Sequence, residues 1–198
     1  MNFFIQKLFK SSFFGVFMVP VSRAYHKLKF AIEKFDVNLK SKICADFGSS
    51  TGGFVQAILE RGCSKVYSVE TSKNRLHFVL KDDSRVVVMD NENALHVHLP
   101  EKVDFISIDV GWTKQKLVIP NAVKNLKKDG LIISLVKPHY EAGENLANQD
   151  AKKIGDVLEK VKEEIKEYVH VLDIVESPLI GKKAGNKEFL IVCRGKFS

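Results

Sequence analysis

Asp46-Phe47-Gly48-Ser49-Ser50-Thr51-Gly52-Gly53-Phe54 gathers a carboxylate, three hydroxyls and three glycines into one short stretch. Glycines at such a turn let the backbone come close to a ligand. The spacing is D-x-G-x-x-x-G-G, not the G-x-G-x-x-G of dinucleotide-binding turns. A pyrophosphate would be repelled by Asp46, whereas the ammonium of an amino-acid ligand would be paired by it. Glu70 follows 24 residues later, where a carboxylate binds both hydroxyls of an adenosine ribose. Together these residues favour S-adenosylmethionine. Its amino-acid end is expected at Asp46, Gly48, Ser49, Ser50, Thr51, Gly52, Gly53 and Phe54, with its ribose at Glu70. Adenine is then expected near the end of the third strand, with Asn91 or Asn93 as its hydrogen-bond partner. Residue type alone does not choose between the two asparagines.

Asp109, also expected among the cofactor contacts, and Lys137 are the other candidates for chemistry. Each closes an apolar run, Asp104–Asp109 and Ile132–Lys137. A lysine at the end of such a run must snorkel, pair or function. Pairing with Asp109 is the plain explanation. A base is the functional one, since desolvation lowers a lysine pKa while a carboxylate beside it pushes the pKa back up. The residues leave both open.

These side chains need a scaffold, and the pattern around them is an alternation of strands and helices. Ile43–Phe47, Lys65–Glu70, Arg85–Met89, Val103–Val110 and Leu131–Lys137 read as strands. A helix is expected after Ser22 as N-cap, with others over Gly53–Arg61, Asn74–Lys81 and Lys114–Leu126, the last closed by Asp129-Gly130. Short β-branched runs separated by helices indicate a doubly wound parallel sheet covered on both faces. In such sheets ligands bind at the carboxyl ends of the strands, where Asp46, Glu70, Asp109 and Lys137 all fall. Asp150–Tyr168 reads as a long helix with Ile154, Val157, Leu158, Val161, Ile165 and Tyr168 on one stripe. Val169–Val175 and Glu188–Cys193 then follow as an antiparallel hairpin at the sheet edge.

Five segments occur in a telling order. They are Ser22-Arg23-Ala24-Tyr25-His26-Lys27-Leu28, the Asp46–Phe54 loop, Ile108-Asp109-Val110, Leu135-Val136-Lys137-Pro138-His139-Tyr140-Glu141-Ala142-Gly143 and Gly185-Asn186-Lys187-Glu188-Phe189-Leu190. The set resembles the FtsJ-like RNA 2′-O-methyltransferases, above all the TlyA or hemolysin A group, over about residues 21–194. The resemblance implies an α/β, Rossmann-like class I methyltransferase fold. Its sheet would have seven strands, mostly parallel, with a C-terminal antiparallel hairpin and helices on both faces. It also implies a K-D-K-E tetrad at the methyl-transfer site, which falls by motif on Lys27, Asp109, Lys137 and Glu188. In that reading Lys137, tuned by Asp109 and Glu188, takes or directs the proton of a ribose 2′-hydroxyl. Lys27 orients the nucleophile and holds nearby phosphate. The implied partner is structured RNA, ribosomal RNA or a ribosomal subunit. Three departures stand out. Residues 1–21 are too few for the S4 RNA-binding domain of TlyA-like proteins. Ala24-Tyr25 replace a pair of glycines, and Val110-Gly111-Trp112 replace the usual Ser-Phe after Asp109.

The chain has 198 residues, of which 45% are apolar and 28% charged, which excludes a disordered or fibrous protein. The expected organisation is a Phe-rich basic arm over 1–21 and one methyltransferase domain over 22–198. Of the net charge of +7, residues 1–42 carry nearly all, with eight basic residues against Glu33 and Asp36. That asymmetry suits a polyanionic partner. Further RNA contacts are expected from Lys114, Lys116, Lys182, Lys183 and Lys187, with Trp112 or Tyr140 able to stack on a base. Cys44, Cys63 and Cys193 are odd in number and lack CxxC spacing, so they read as buried thiols of a reducing compartment. His96 and His98 have no third ligand nearby, and no metal is expected. No apolar run reaches the length of a membrane span, and a cytoplasmic location is expected. The other readings are an RNA-binding or ribosome-assembly protein with a non-catalytic methyltransferase fold, an NAD-dependent oxidoreductase and a membrane-lytic protein.

Overall fold

The computed structural model describes residues 19–144, 146, 151–181 and 185–197. The arm up to residue 18, with Lys182 and Lys183, lies outside the described residues. Among the described residues seven strands form one sheet: β1 (Ile43–Phe47), β2 (Lys65–Glu70), β3 (Val86–Asp90), β4 (Val103–Ile108), β5 (Leu126–Val136), β6 (Val169–Glu176) and β7 (Phe189–Gly195). Their order is β3-β2-β1-β4-β5-β7-β6. The first five run parallel, and β7 enters antiparallel between β5 and β6. The helices are α1 (Ala24–Lys34), α2 (Gly53–Glu60), α3 (Phe78–Lys81), α4 (Gln115–Asn125), α5 (Pro138–Ala142) and α6 (Ala151–Ile165). This is the mostly parallel, doubly covered sheet that the sequence pattern implied. No helix among the described residues is long and apolar enough to cross a membrane.

Two cores sandwich the sheet, and strand alternation decides which residue serves which. Ala45, Ile106 and Ile132 face the core built with Val118, Ile119 and Ala122 of α4 and Val161 and Ile165 of α6. Cys44, Phe105, Ile133 and Leu190 face the core built with Leu28, Ala31 and Ile32 of α1 and Val55 and Ile58 of α2. The same parity carried to the strand ends puts Asp46, Asp109, Lys137 and Glu188 on the α1 side of four adjacent strands. Because β7 is antiparallel, its first residues lie beside the last of β5, with Val136 opposite Phe189. Glu188 thus reaches the carboxyl edge from the opposite chain direction.

Four expectations need correction. The helix expected over Asn74–Lys81 is confined to Phe78–Lys81. Asn74 adopts a left-handed φ of 57°, and its N–H goes to Asp90 Oδ2 at 3.0 Å, so this stretch forms a turn against β3. Helix α4 ends at Asn125, and β5 starts at Leu126 rather than Leu131, so Asp129 and Gly130 lie within the strand. A Cβ at Gly130 would come 3.0 Å from the Asp104 carbonyl, which is why the residue there has no side chain. Tyr168 falls beyond α6 and is exposed. Arg23, with helical backbone angles, occupies the cap position expected for Ser22, and makes no side-chain cap.

Candidate active site

The turn after β1 is shaped by close approach. Gly48 has φ 86°, and a Cβ there would meet the Asp109 carbonyl at 2.6 Å. A Cβ at Gly53 would meet Ser22 Oγ at 2.2 Å and the Tyr25 amide at 2.7 Å. Bare backbone at these two points lets the β1 turn, the end of β4 and the start of α1 converge. Gly48 N–H and Ser49 N–H both donate to the Val69 carbonyl, at 2.9 and 3.0 Å, tying the turn to β2.

The turn forms one wall of a cavity of about 650 Å³ at the carboxyl edge. Asp46, Gly48, Ser49, Ser50, Thr51, Gly53 and Phe54 line it, as does Glu70 from the end of β2. Asn93 lines it as well. Two expected contacts fall outside this wall. Gly52 turns toward Leu76 and Leu80, where its missing Cβ leaves room for α3 packing. Asn91, with φ 59°, is off the wall, whereas Asn93 is on it.

Asp46 is fully buried. Its Oδ1 accepts the Ser107 hydroxyl at 2.6 Å, while Oδ2 has no partner. Burial drives its pKa up to about 8; the Ser107 hydrogen bond opposes the rise, and the Asp109 and Glu70 charges add to it. A buried, unpartnered carboxylate oxygen on a cavity wall is a site for a cationic donor. Glu70 is already oriented, accepting the Ser50 N–H at 2.9 Å and the Ser72 N–H at 3.0 Å.

The four tetrad positions line the same cavity. Lys27 of α1 and Glu188 form an ion pair, both buried, across 161 positions of sequence. Lys137 Nζ donates to Asp109 Oδ1 at 2.6 Å and to the Val110 carbonyl at 3.3 Å. It also lies 5.7 Å from the Tyr140 ring centroid. Tyr140 in turn stacks on Trp112 at 4.7 Å, and Trp112 is 81% exposed. So large an exposed ring does no packing in the core. Lys114 and Lys116 stand beside Gln115 at the start of α4, and Lys116 is paired to Glu164. Lys187 is paired to Glu176.

Some of the wall was not anticipated. Arg75 lines the cavity with Nη2 3.4 Å from Ser50 Oγ, hidden in sequence by the helical reading of Asn74–Lys81. Glu92 also lines it, sitting between the two asparagines that drew attention. His96 and His98 are exposed, and no group of three metal-ligating side chains occurs among the described residues. The three cysteines are buried free thiols.

A family model described as FtsJ-like methyltransferase matches residues 20–196. The chain belongs to the FtsJ-like methyltransferase family. Among its FtsJ-like relatives is the 16S/23S rRNA (cytidine-2′-O)-methyltransferase TlyA of Mycobacterium tuberculosis. The two are 31% identical over 184 residues, covering 88% of this chain and 68% of the relative. A solved structure from Streptococcus thermophilus, named as a hemolysin, superposes with a TM-score of 0.85 at 32% identity, covering 93% of this chain and 70% of that one. The N-methyltransferase NodS of Bradyrhizobium japonicum, solved with S-adenosyl-L-homocysteine, has a TM-score of 0.64 at 16% identity over 90% of this chain and 89% of its own. At that identity the likeness extends to the fold alone. The FtsJ-like chain described here is thus a class I methyltransferase by fold and an FtsJ-like enzyme by family.

Proposed function

We propose that this enzyme transfers the methyl group of S-adenosylmethionine to a ribose 2′-hydroxyl of structured RNA, ribosomal RNA in particular. The observation that carries this reading is that Lys27, Asp109, Lys137 and Glu188 line one cavity together with an unpartnered Asp46. The relative from Mycobacterium is named for ribosomal RNA 2′-O-methylation, which supports the same substrate.

The residues fit the cofactor. Asp46 Oδ2 offers the acceptor for its ammonium, the Gly48–Phe54 backbone takes the amino-acid end, and Glu70 takes the ribose hydroxyls. When bound, S-adenosylmethionine supplies a methyl carbon made electrophilic by its sulfonium. The chain's own work is positioning and proton handling. An ammonium has three donors. Lys137 uses two on Asp109 and Val110, leaving one to orient the attacking hydroxyl. For the transfer itself Lys137 must first pass a proton to Asp109; its free amine then takes the 2′-hydroxyl proton as the C–O bond forms and the methyl–sulfur bond breaks. Lys27, anchored by Glu188, holds the nucleotide's ribose and adjoining phosphate in line. The exposed Trp112 on Tyr140 supports base stacking at the mouth of the site.

The test uses ribosomal subunits from cells lacking the gene, tritiated S-adenosylmethionine, and mapping of 2′-O-methyl positions. Wild-type protein should label RNA at a ribose, and Lys137→Ala should not, with cofactor affinity held within about threefold. Full activity of Lys137→Ala would reject the mechanism. RNA binding by the wild type with no label would support the assembly-protein reading instead.

A further inference from the structure

A set of buried hydrogen bonds on the α4 side of the sheet ties together the segments that carry Asp109 and Lys137, and none of the side chains making them belongs to the tetrad. Glu141 of α5 is buried, and its Oε1 accepts the Gln115 N–H at 2.8 Å, capping α4. The Gln115 side chain, also buried, reaches the opposite way. Its Nε2 donates to the Leu135 carbonyl at 3.2 Å, and its Oε1 accepts the Ser134 hydroxyl at 2.6 Å.

These contacts bracket Lys137 on both sides. Ser134 and Leu135 precede it on β5, and Glu141 follows it by one helical turn, its own N–H on the Lys137 carbonyl at 3.2 Å. Gln115 in turn ends the short segment that begins at Asp109, whose Val110 carbonyl receives Lys137 Nζ. The chain path from Asp109 to Gln115, across to Glu141, and back through Lys137 to Asp109 is therefore closed by hydrogen bonds at each crossing.

We propose that Glu141, acting through Gln115, is a positioning residue that fixes the separation and orientation of Asp109 and Lys137 for methyl transfer. This rests on the reading of the site given above. Glu141 sits where its charge is costly, since burial raises its pKa and Glu164 adds to the rise, while Lys114 and Lys116 offset part of it. An apolar residue would fill the same volume without burying a polar group, so a side-chain acceptor at this position is explained by the amide it must hold. Reacting groups displaced by about 1 Å lose on the order of a hundredfold in rate.

The experiment measures single-turnover methyl transfer to the subunit substrate, cofactor affinity by calorimetry with S-adenosylhomocysteine, and the thermal midpoint. Glu141→Ala should slow transfer by roughly tenfold to a hundredfold with cofactor affinity unchanged. Glu141→Gln, which keeps an acceptor for the Gln115 N–H, should restore most of the rate. Gln115→Met keeps the volume, removes both side-chain bonds, and should slow transfer as well; it serves if Glu141→Ala does not fold. Glu141→Ala combined with Gln115→Met should be little slower than the worse single variant, because both open the same closed path. Wild-type rates in Glu141→Ala or Gln115→Met would overturn the proposal. So would a rate loss matched by an equal loss of cofactor affinity, or failure of Glu141→Gln to rescue. A wild-type protein that transfers no methyl group would instead overturn the functional reading beneath it.

Discussion

Cofactor binding should release a proton at neutral pH, and Asp46 is the source. Its pKa near 8 means that the free protein holds this carboxyl mostly protonated at pH 7. The α-amino group of the ligand has an ordinary pKa of about 8 and is also mostly protonated there. Each therefore carries about 0.9 proton, and the paired ammonium and carboxylate share one. Binding at pH 7 thus expels about 0.8 proton, and about one at pH 6. Above pH 8 the balance reverses, because both partners are then deprotonated and the complex must take a proton up. Affinity should therefore peak near pH 8 and fall by up to tenfold per unit on either side. Calorimetry with S-adenosylhomocysteine, which has the same amino-acid end, reads the proton count from binding heats in buffers of different ionisation enthalpy. Asp46→Asn should abolish the release and weaken binding. Zero release or proton uptake at pH 7 would refute the argument, as would Asp46→Asn with an undiminished release.

The same carboxyl should make the fold less stable as pH rises. Its folded pKa of about 8 lies above the ordinary 3.8, so the native state binds the extra proton, and stability declines between those values; Asp46→Asn should flatten that slope in denaturant titrations at pH 5 and pH 8. Lys27→Ala strands the buried Glu188 charge and should cost about 3–5 kcal/mol in urea unfolding. Lys27→Met with Glu188→Leu should recover much of that loss and still transfer no methyl group, separating stability from chemistry. Gly53→Ala would drive a methyl into Ser22 and the Tyr25 amide, shifting α1 and Lys27; transfer should drop well below wild type while S-adenosylhomocysteine still binds. Trp112→Ala, at an exposed position, should leave the unfolding midpoint nearly unchanged and weaken RNA binding by about 1–3 kcal/mol in filter binding.

The strand alternation made much of this readable in advance. Cys44-Ala45-Asp46 and Phe105-Ile106-Ser107 alternate between two cores, and that parity carries Asp46 and Asp109 to one side of the sheet edge. Composition and periodicity could not bring Glu188 there. Its place depends on β7 lying antiparallel between β5 and β6, a long-range strand order that neither the local pattern nor the motif resemblance specifies, though the resemblance does single out Glu188. Asn74–Lys81 has helical composition, but its N-terminal half is held as a turn by a contact with Asp90 that local sequence does not carry. Gly130 looked like a helix stop and is in fact a strand residue pressed against Asp104. Glu141 and Gln115 gave no sign of their pairing, since a buried carboxylate on a backbone amide leaves no periodic trace.

Lys27 lies in the first described helix and Glu188 just before the last described strand, so their buried ion pair joins the two ends of the described fold. In the proposed reading, the grip on the nucleotide therefore depends on the whole domain closing upon itself, and a nick or slip anywhere between the two segments would loosen it.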